Sequence, residues 1–118
     1  MKKILVVGIN PSTKGYKCTS IKRLNSWMSA CGFQHFSFVN CIEKTGKYNK
    51  ADVRLDMLKT ISSGYNYILA LGNFVSESLE TIDLDHFKAP HPSGLNRLLN
   101  DKNYEHDMLD RMKRYLND

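Results

Sequence analysis

The sequence predicts an α/β protein in three layers, α/β/α, with a four-stranded, mainly parallel sheet and helices on both of its faces. Three observations lead there. Solid aliphatic runs such as Ile4-Leu5-Val6-Val7 and Ile68-Leu69-Ala70-Leu71 lack the alternation of a sheet with one wet face, and belong to strands buried on both. Between these runs lie segments whose apolar residues recur at helical spacing. The connections are short, so strand and helix alternate along the chain.

Residues 3–9 are the first strand, stopped by the polar turn cluster Asn10-Pro11-Ser12-Thr13-Lys14-Gly15. Thr19 or Ser20 caps a helix that runs to about Gly32, with Ile21, Leu24, Trp27 and Met28 as its apolar stripe and Gly32 in the place of a C-terminal glycine. Residues 36–42 form a second strand that delivers Asn40 into an apolar stretch. A polar, basic loop over 43–50 follows, and Asp52 opens a helix that buries Val53, Leu55, Leu58 and Ile61 and ends at Ser62-Ser63-Gly64. Residues 67–72 are the third strand, and Asn73 caps a short helix carrying Val75, Ser78 and Leu79. Residues 87–90 are a short fourth strand with Pro90 at its end. A terminal helix, or a broken pair, fills 95–116 with Met108, Leu109, Met112 and Leu116 toward the core.

A chain of 118 residues is expected to be one domain, burying somewhat over ~60% of its unfolded surface. Apolar residues at 42% and charged ones at 25% are ordinary for a globular protein. No apolar run approaches the roughly 18 residues of a membrane span, and the basic, apolar start is too short for a signal peptide, so a cytoplasmic protein is expected. A net charge of +5 and a pI near 9.2 favour an anionic partner. Cys18, Cys31 and Cys41 are odd in number, widely spaced and form no CxxC pair, which argues against a disulfide framework and against a four-thiolate cluster or zinc site supplied by this chain alone; Cys31 and Cys41 read as buried free thiols.

In parallel sheets ligands bind outside the carboxyl ends of the strands, here Asn10, Asn40, Gly72-Asn73 and His91. No pair of strand-end carboxylates is present for acid/base work on a free sugar, no P-loop, and no Gly-x-Ser-x-Gly elbow. An asparagine amide can orient a water or read a base edge, and a histidine can donate to an oxygen that gains charge as a group leaves. Together these suit cleavage of a bond whose leaving group is a delocalised anion, such as a pyrimidine. Each residue also has a plainer reading. Asn10 before Pro11 is a good turn residue, Asn40 can cap a strand end, and His91-Pro92-Ser93-Gly94 is an ordinary strand-to-helix turn. His35, His86 and His106 read as surface or packing residues, and Arg111, Lys113 and Arg114 as the exposed face of the last helix. Lys44, Lys47 and Lys50 sit in a loop that either meets phosphates or is simply solvated.

Gly8-Ile9-Asn10-Pro11-Ser12 and His91-Pro92-Ser93-Gly94-Leu95-Asn96-Arg97 resemble the two signature motifs of the uracil-DNA glycosylase superfamily. The first is similar to the Gly-Ile-Asn-Pro motif of the mismatch-specific branch. The second is similar to the His-Pro-Ser motif, with that branch's Gly-Leu-x-Arg continuation. Phe38-Val39-Asn40-Cys41 and Ile68-Leu69-Ala70-Leu71-Gly72-Asn73 resemble strands of the iron-sulfur branch, although the cluster cysteines are absent. The resemblance implies a uracil-DNA glycosylase-like domain over residues 1–118 that excises uracil or a related pyrimidine from DNA, without metal or cofactor, as a monomer.

In that mapping Asn10 positions the hydrolytic water and His91 stabilises charge developing on the base. Asn40 pairs with the edge of a flipped base, with Ile9 and Tyr16 beside it; Tyr16 is the aromatic nearest the first motif. Ser12, Ser93, Gly94, Asn96 and Arg97 contact DNA, and Leu95 fills the vacated stack. Asn10 stands where the most active branch has Asp. Two alternatives stay open: a protein of this fold that binds a nucleobase, nucleotide, DNA or another protein without turnover, and a hydrolase or transferase acting on a small nucleoside.

Overall fold

The first aliphatic run forms β1, Ile4–Gly8, and all five of its residues are buried. The structure, a computed structural model, describes residues 2–11, 19–92 and 97–117, apart from the side chains of Thr19 and Arg97. β1 lies between β2 (Ser37–Asn40) and β3 (Tyr67–Leu71), with β4 (Phe87–Ala89) beyond β3, in the order β2-β1-β3-β4. Every pair is parallel, so the sheet is wholly rather than mainly so. The chain has the α/β architecture the sequence predicts.

A parallel neighbour requires a crossover. The helices α1 (Thr19–Ala30), α2 (Leu55–Ser62) and α3 (Asn73–Glu80) stand between successive strands, and α4 (Lys102–Leu116) closes the chain. The order places a reversal of winding between β1 and β3, where the carboxyl edge of such a sheet opens into a crevice. Among the described residues no helix is long and apolar enough to cross a membrane.

Backbone contacts divide the chain into two compact units, Met1–Thr13 with His35–Pro90, and Lys14–Gln34 with His91–Asp118. In the first unit Leu5, Val7, Ile68 and Ala70 share a core with Leu58 of α2 and with Val75 and Leu79 of α3. The alternate residues Ile4, Val6, Leu69 and Leu71 are buried as well, so both sheet faces are covered, compatibly with three layers. In the second unit Leu24, Trp27, Met28, Cys31, Met108, Met112 and Leu116 are buried. There the Trp27 indole N–H donates to Glu105 Oε2 at 3.2 Å, tying α1 to α4.

Local signals explain most helix ends. Gly32 takes φ +89°, and the amides of Gly32 and Phe33 return to the carbonyls of Ser29 and Met28, closing α1 with a left-handed glycine as expected. Asp101 caps α4 by accepting from the amides of Asn103 and Tyr104. The terminal helix is therefore the broken pair, a 3₁₀ turn at Arg97–Asn100 and then α4.

Several elements differ from expectation, among them β1, which spans Ile4–Gly8 rather than 3–9, and β2, α2 and α3. β2 ends at Asn40, although the amides of Cys41 and Ile42 still reach the carbonyls of Gly8 and Ile9. Asp52 does not open α2. It closes a capping box with Asn49 around the 3₁₀ turn Lys50–Asp52, Val53 is extended, and α2 starts at Leu55. The cap of α3 is Gly72, at φ +93°, and Asn73 is the first helical residue.

Candidate functional site

The carboxyl ends of β1 and β2 meet in register, with Gly8 opposite Asn40. The pairing depends on glycine for want of room. A methyl group on Gly8 would stand 2.7 Å from Phe38 Cζ and 2.9 Å from Asn40 Oδ1. The Phe38 ring tip and the Asn40 amide oxygen thus both lie over the Gly8 backbone, on one face of the sheet edge. β2 is an edge strand, so Phe38 remains 46% exposed, one of few large apolar side chains in that state among the described residues. An exposed flat ring beside a carboxamide is a surface on which a planar polar molecule can stack and be read. No pattern in the sequence singles out Phe38, because its significance lies in a neighbour thirty residues away in the chain.

Asn10, two residues past β1, is half-buried and sends its amide nitrogen to the carbonyls of Gly46 at 3.0 Å and Lys44 at 3.3 Å. Two acceptors on one end of the amide identify that end as nitrogen. Its Oδ1 accepts nothing among the described residues. Ile9 is half-buried and its carbonyl accepts from the Ile42 amide and the Cys41 thiol, so its backbone is committed to holding the strand end.

The loop that supplies those carbonyls is itself pinned. Lys44 Nζ lies 3.0 Å from Asp52 Oδ2, and Arg54 lies 2.6 Å from Glu43. The Asn49 amide donates to Asp52, and this bond, followed by that from Lys44, holds the Asp52 carboxyl below its ordinary range. Tyr48 packs edge-on against Phe74 in the first turn of α3, ring centres 4.9 Å apart. Of the three loop lysines, Lys44 is thus partnered, while Lys47 and Lys50 are exposed.

His91 stands two residues beyond the end of β4 and belongs to the second unit. It is half-buried, and that burial pushes its imidazole below the ordinary value, toward the neutral form. Ser12, Tyr16, Ser93, Gly94, Leu95 and Asn96 lie outside the described residues, as does the side chain of Arg97. Cys31 and Cys41 are buried free thiols, as expected; desolvation pushes the Cys41 thiol up to about 11.

His86 serves the structure through two hydrogen bonds. Its Nδ1–H donates to the Leu84 carbonyl at 2.7 Å, which leaves Nε2 to accept from the Ser76 hydroxyl at 2.7 Å. Ser76 is 3% exposed, so the pair fastens α3 to the segment before β4 rather than offering a nucleophile. An open cavity of about 490 Å³ at the amino ends of β1 and β2 is lined by Lys2, Lys3, His35, Phe36 and Tyr65 among others. It lacks the converging strand ends that concentrate function at the other edge, where Asn10 and Asn40 stand. Among the described residues no three His, Cys, Asp or Glu side chains cluster as metal ligands would. Comparison with protein families and with curated proteins finds no match to this chain.

Proposed function

We propose that the chain is a DNA glycosylase that hydrolyses the N-glycosidic bond of uracil or a related pyrimidine in DNA. One observation supports this above the motifs themselves. In the first unit no described residue donates to the Asn10 acceptor at the end of β1, and across the pairing of Gly8 with Asn40 the second amide lies beside the exposed Phe38 ring. The Asn10 acceptor can take an O–H from a water and aim its lone pair at the sugar C1′. The Asn40 amide carries a donor and an acceptor, which match O4 and N3–H of uracil.

In the reaction the water oxygen bonds to C1′, the C1′–N1 bond breaks, and its electron pair leaves on the base, spread over N1 and O2. The water's proton neutralises the released base. The resemblance assigns the developing charge to His91. In the role that the resemblance implies, a neutral imidazole serves as a hydrogen-bond donor without bringing a full charge of its own. The net charge of +5 suits a polyanionic substrate.

A second reading has its own support. The two bonds from Asn10 to loop carbonyls are also what a purely structural asparagine makes, which favours a protein that holds a base without turnover. One assay separates the two. Uracil-containing oligonucleotides should yield free base and an abasic site, and Asn10→Ala or His91→Ala should each lower the rate by about tenfold or more. Full activity in both variants would end the enzymatic assignment. Tight binding with no product on long incubation would decide for the second reading.

A further inference from the structure

A free asparagine side chain presents either end of its amide with equal ease, and Asn10 does not have that freedom. Turning its carboxamide over would set Oδ1 against the carbonyl oxygens of Gly46 and Lys44, now 3.0 and 3.3 Å from the nitrogen. Two donor bonds would be exchanged for two acceptor–acceptor contacts. We propose that the 43–54 loop is a positioning device that fixes which end of the Asn10 amide is presented, with Asp52 and Gly46 as the positioning residues that set the loop.

The loop is built for this at its two acceptors. Gly46 has φ +81° and open space where a Cβ would be, so glycine serves the left-handed backbone there and not packing. Lys44, whose carbonyl is the other acceptor, is held at its far end by Asp52 at 3.0 Å, and Asp52 also receives the Asn49 amide at 2.9 Å. The Glu43–Arg54 ion pair and the bond from the Arg54 amide to the Cys41 carbonyl close the base of the loop. Exposed ion pairs add little to global stability, so losing Asp52 should move the loop while leaving the fold intact.

The device also distinguishes an amide from a carboxylate at this position. A carboxylate is the better acceptor for a water, but in this loop it would turn an oxygen toward each carbonyl. Asn10→Asp should therefore be slower than the native protein, not faster.

The link to catalysis rests on the glycosylase reading, so the test has two arms. In the first, NMR follows hydrogen exchange of the Asn10 side-chain amide against that of exposed Asn25. Protection of about fivefold or more is expected in the native protein, lost in Asp52→Asn and Gly46→Ala and largely restored in Asp52→Glu. No protection in the native protein, or protection unchanged in both variants, overturns the proposal. In the second arm, on a uracil oligonucleotide, Asp52→Asn should lower kcat by about fivefold with KM within about twofold. An Asn10→Asp variant faster than the native protein overturns the proposal. Absence of excision by the native protein instead refutes the glycosylase reading, and the exchange measurement still decides the role of the loop.

Discussion

Gly8→Ala should separate function from stability in a single methyl group. Ordinary contact begins near 3.4 Å, so a Cβ at position 8 obliges the Phe38 ring tip, at 2.7 Å, to retreat about 0.7 Å and the Asn40 oxygen, at 2.9 Å, about 0.5 Å. Neither obstacle is backbone. Phe38 is 46% exposed and can swing outward, and Asn40 sits at the end of an edge strand. Gly8 also has no left-handed φ that would strain an alanine. Overpacking of a closed core costs about 1–3 kcal/mol; here the neighbours can yield, and the lost glycine entropy returns about 0.4–1 kcal/mol. The net change in unfolding free energy should therefore stay within about 1 kcal/mol, read by urea denaturation. The site fares worse, because displacing a positioning group by about 1 Å can cost up to about a hundredfold in rate. A drop of about tenfold or more in single-turnover excision is expected, or in uracil-ligand affinity if no turnover occurs. Unchanged excision and affinity would refute the claim that Gly8 is small for the sake of Phe38 and Asn40. A stability loss above about 3 kcal/mol would refute the claim that those two side chains can yield.

The half-buried imidazole of His91 favours its neutral form, so its contribution to stability is present above 6.5 and is lost as pH falls through its lowered folded-state value. Urea midpoints between pH 7.5 and 5 should fall more steeply for the native protein than for His91→Gln, and equal slopes would contradict this. Cys41, fully buried with its thiol raised to about 11, should resist iodoacetamide at pH 8 in the folded protein and react in urea, as site-resolved mass spectrometry can record. Glu105→Ala removes the acceptor of the Trp27 indole and should cost about 1 kcal/mol, while Glu105→Gln keeps an acceptor and should cost less. Fluorescence of Trp27, the sole tryptophan, reports the transition.

The sequence alone determined what local chemistry can determine. Unbroken aliphatic runs such as residues 4–7 and 68–71 required strands buried on both faces, and Gly32 and Pro90 marked where a helix and a strand stop. Those signals act over a few residues, through backbone freedom and side-chain period. The same locality explains the misplaced start of α2. Asp52 looks like a helix opener, yet its carboxylate is claimed by the Asn49 amide and by Lys44. Tertiary structure decided whatever depends on distant segments meeting. The strand order, the place of Phe38 and Asn40 over Gly8, and the grip of the 43–54 loop on Asn10 all join residues far apart in the chain. Hydrophobic pattern cannot encode such pairings, because it specifies that a face is buried and leaves open which side chain comes to lie against it.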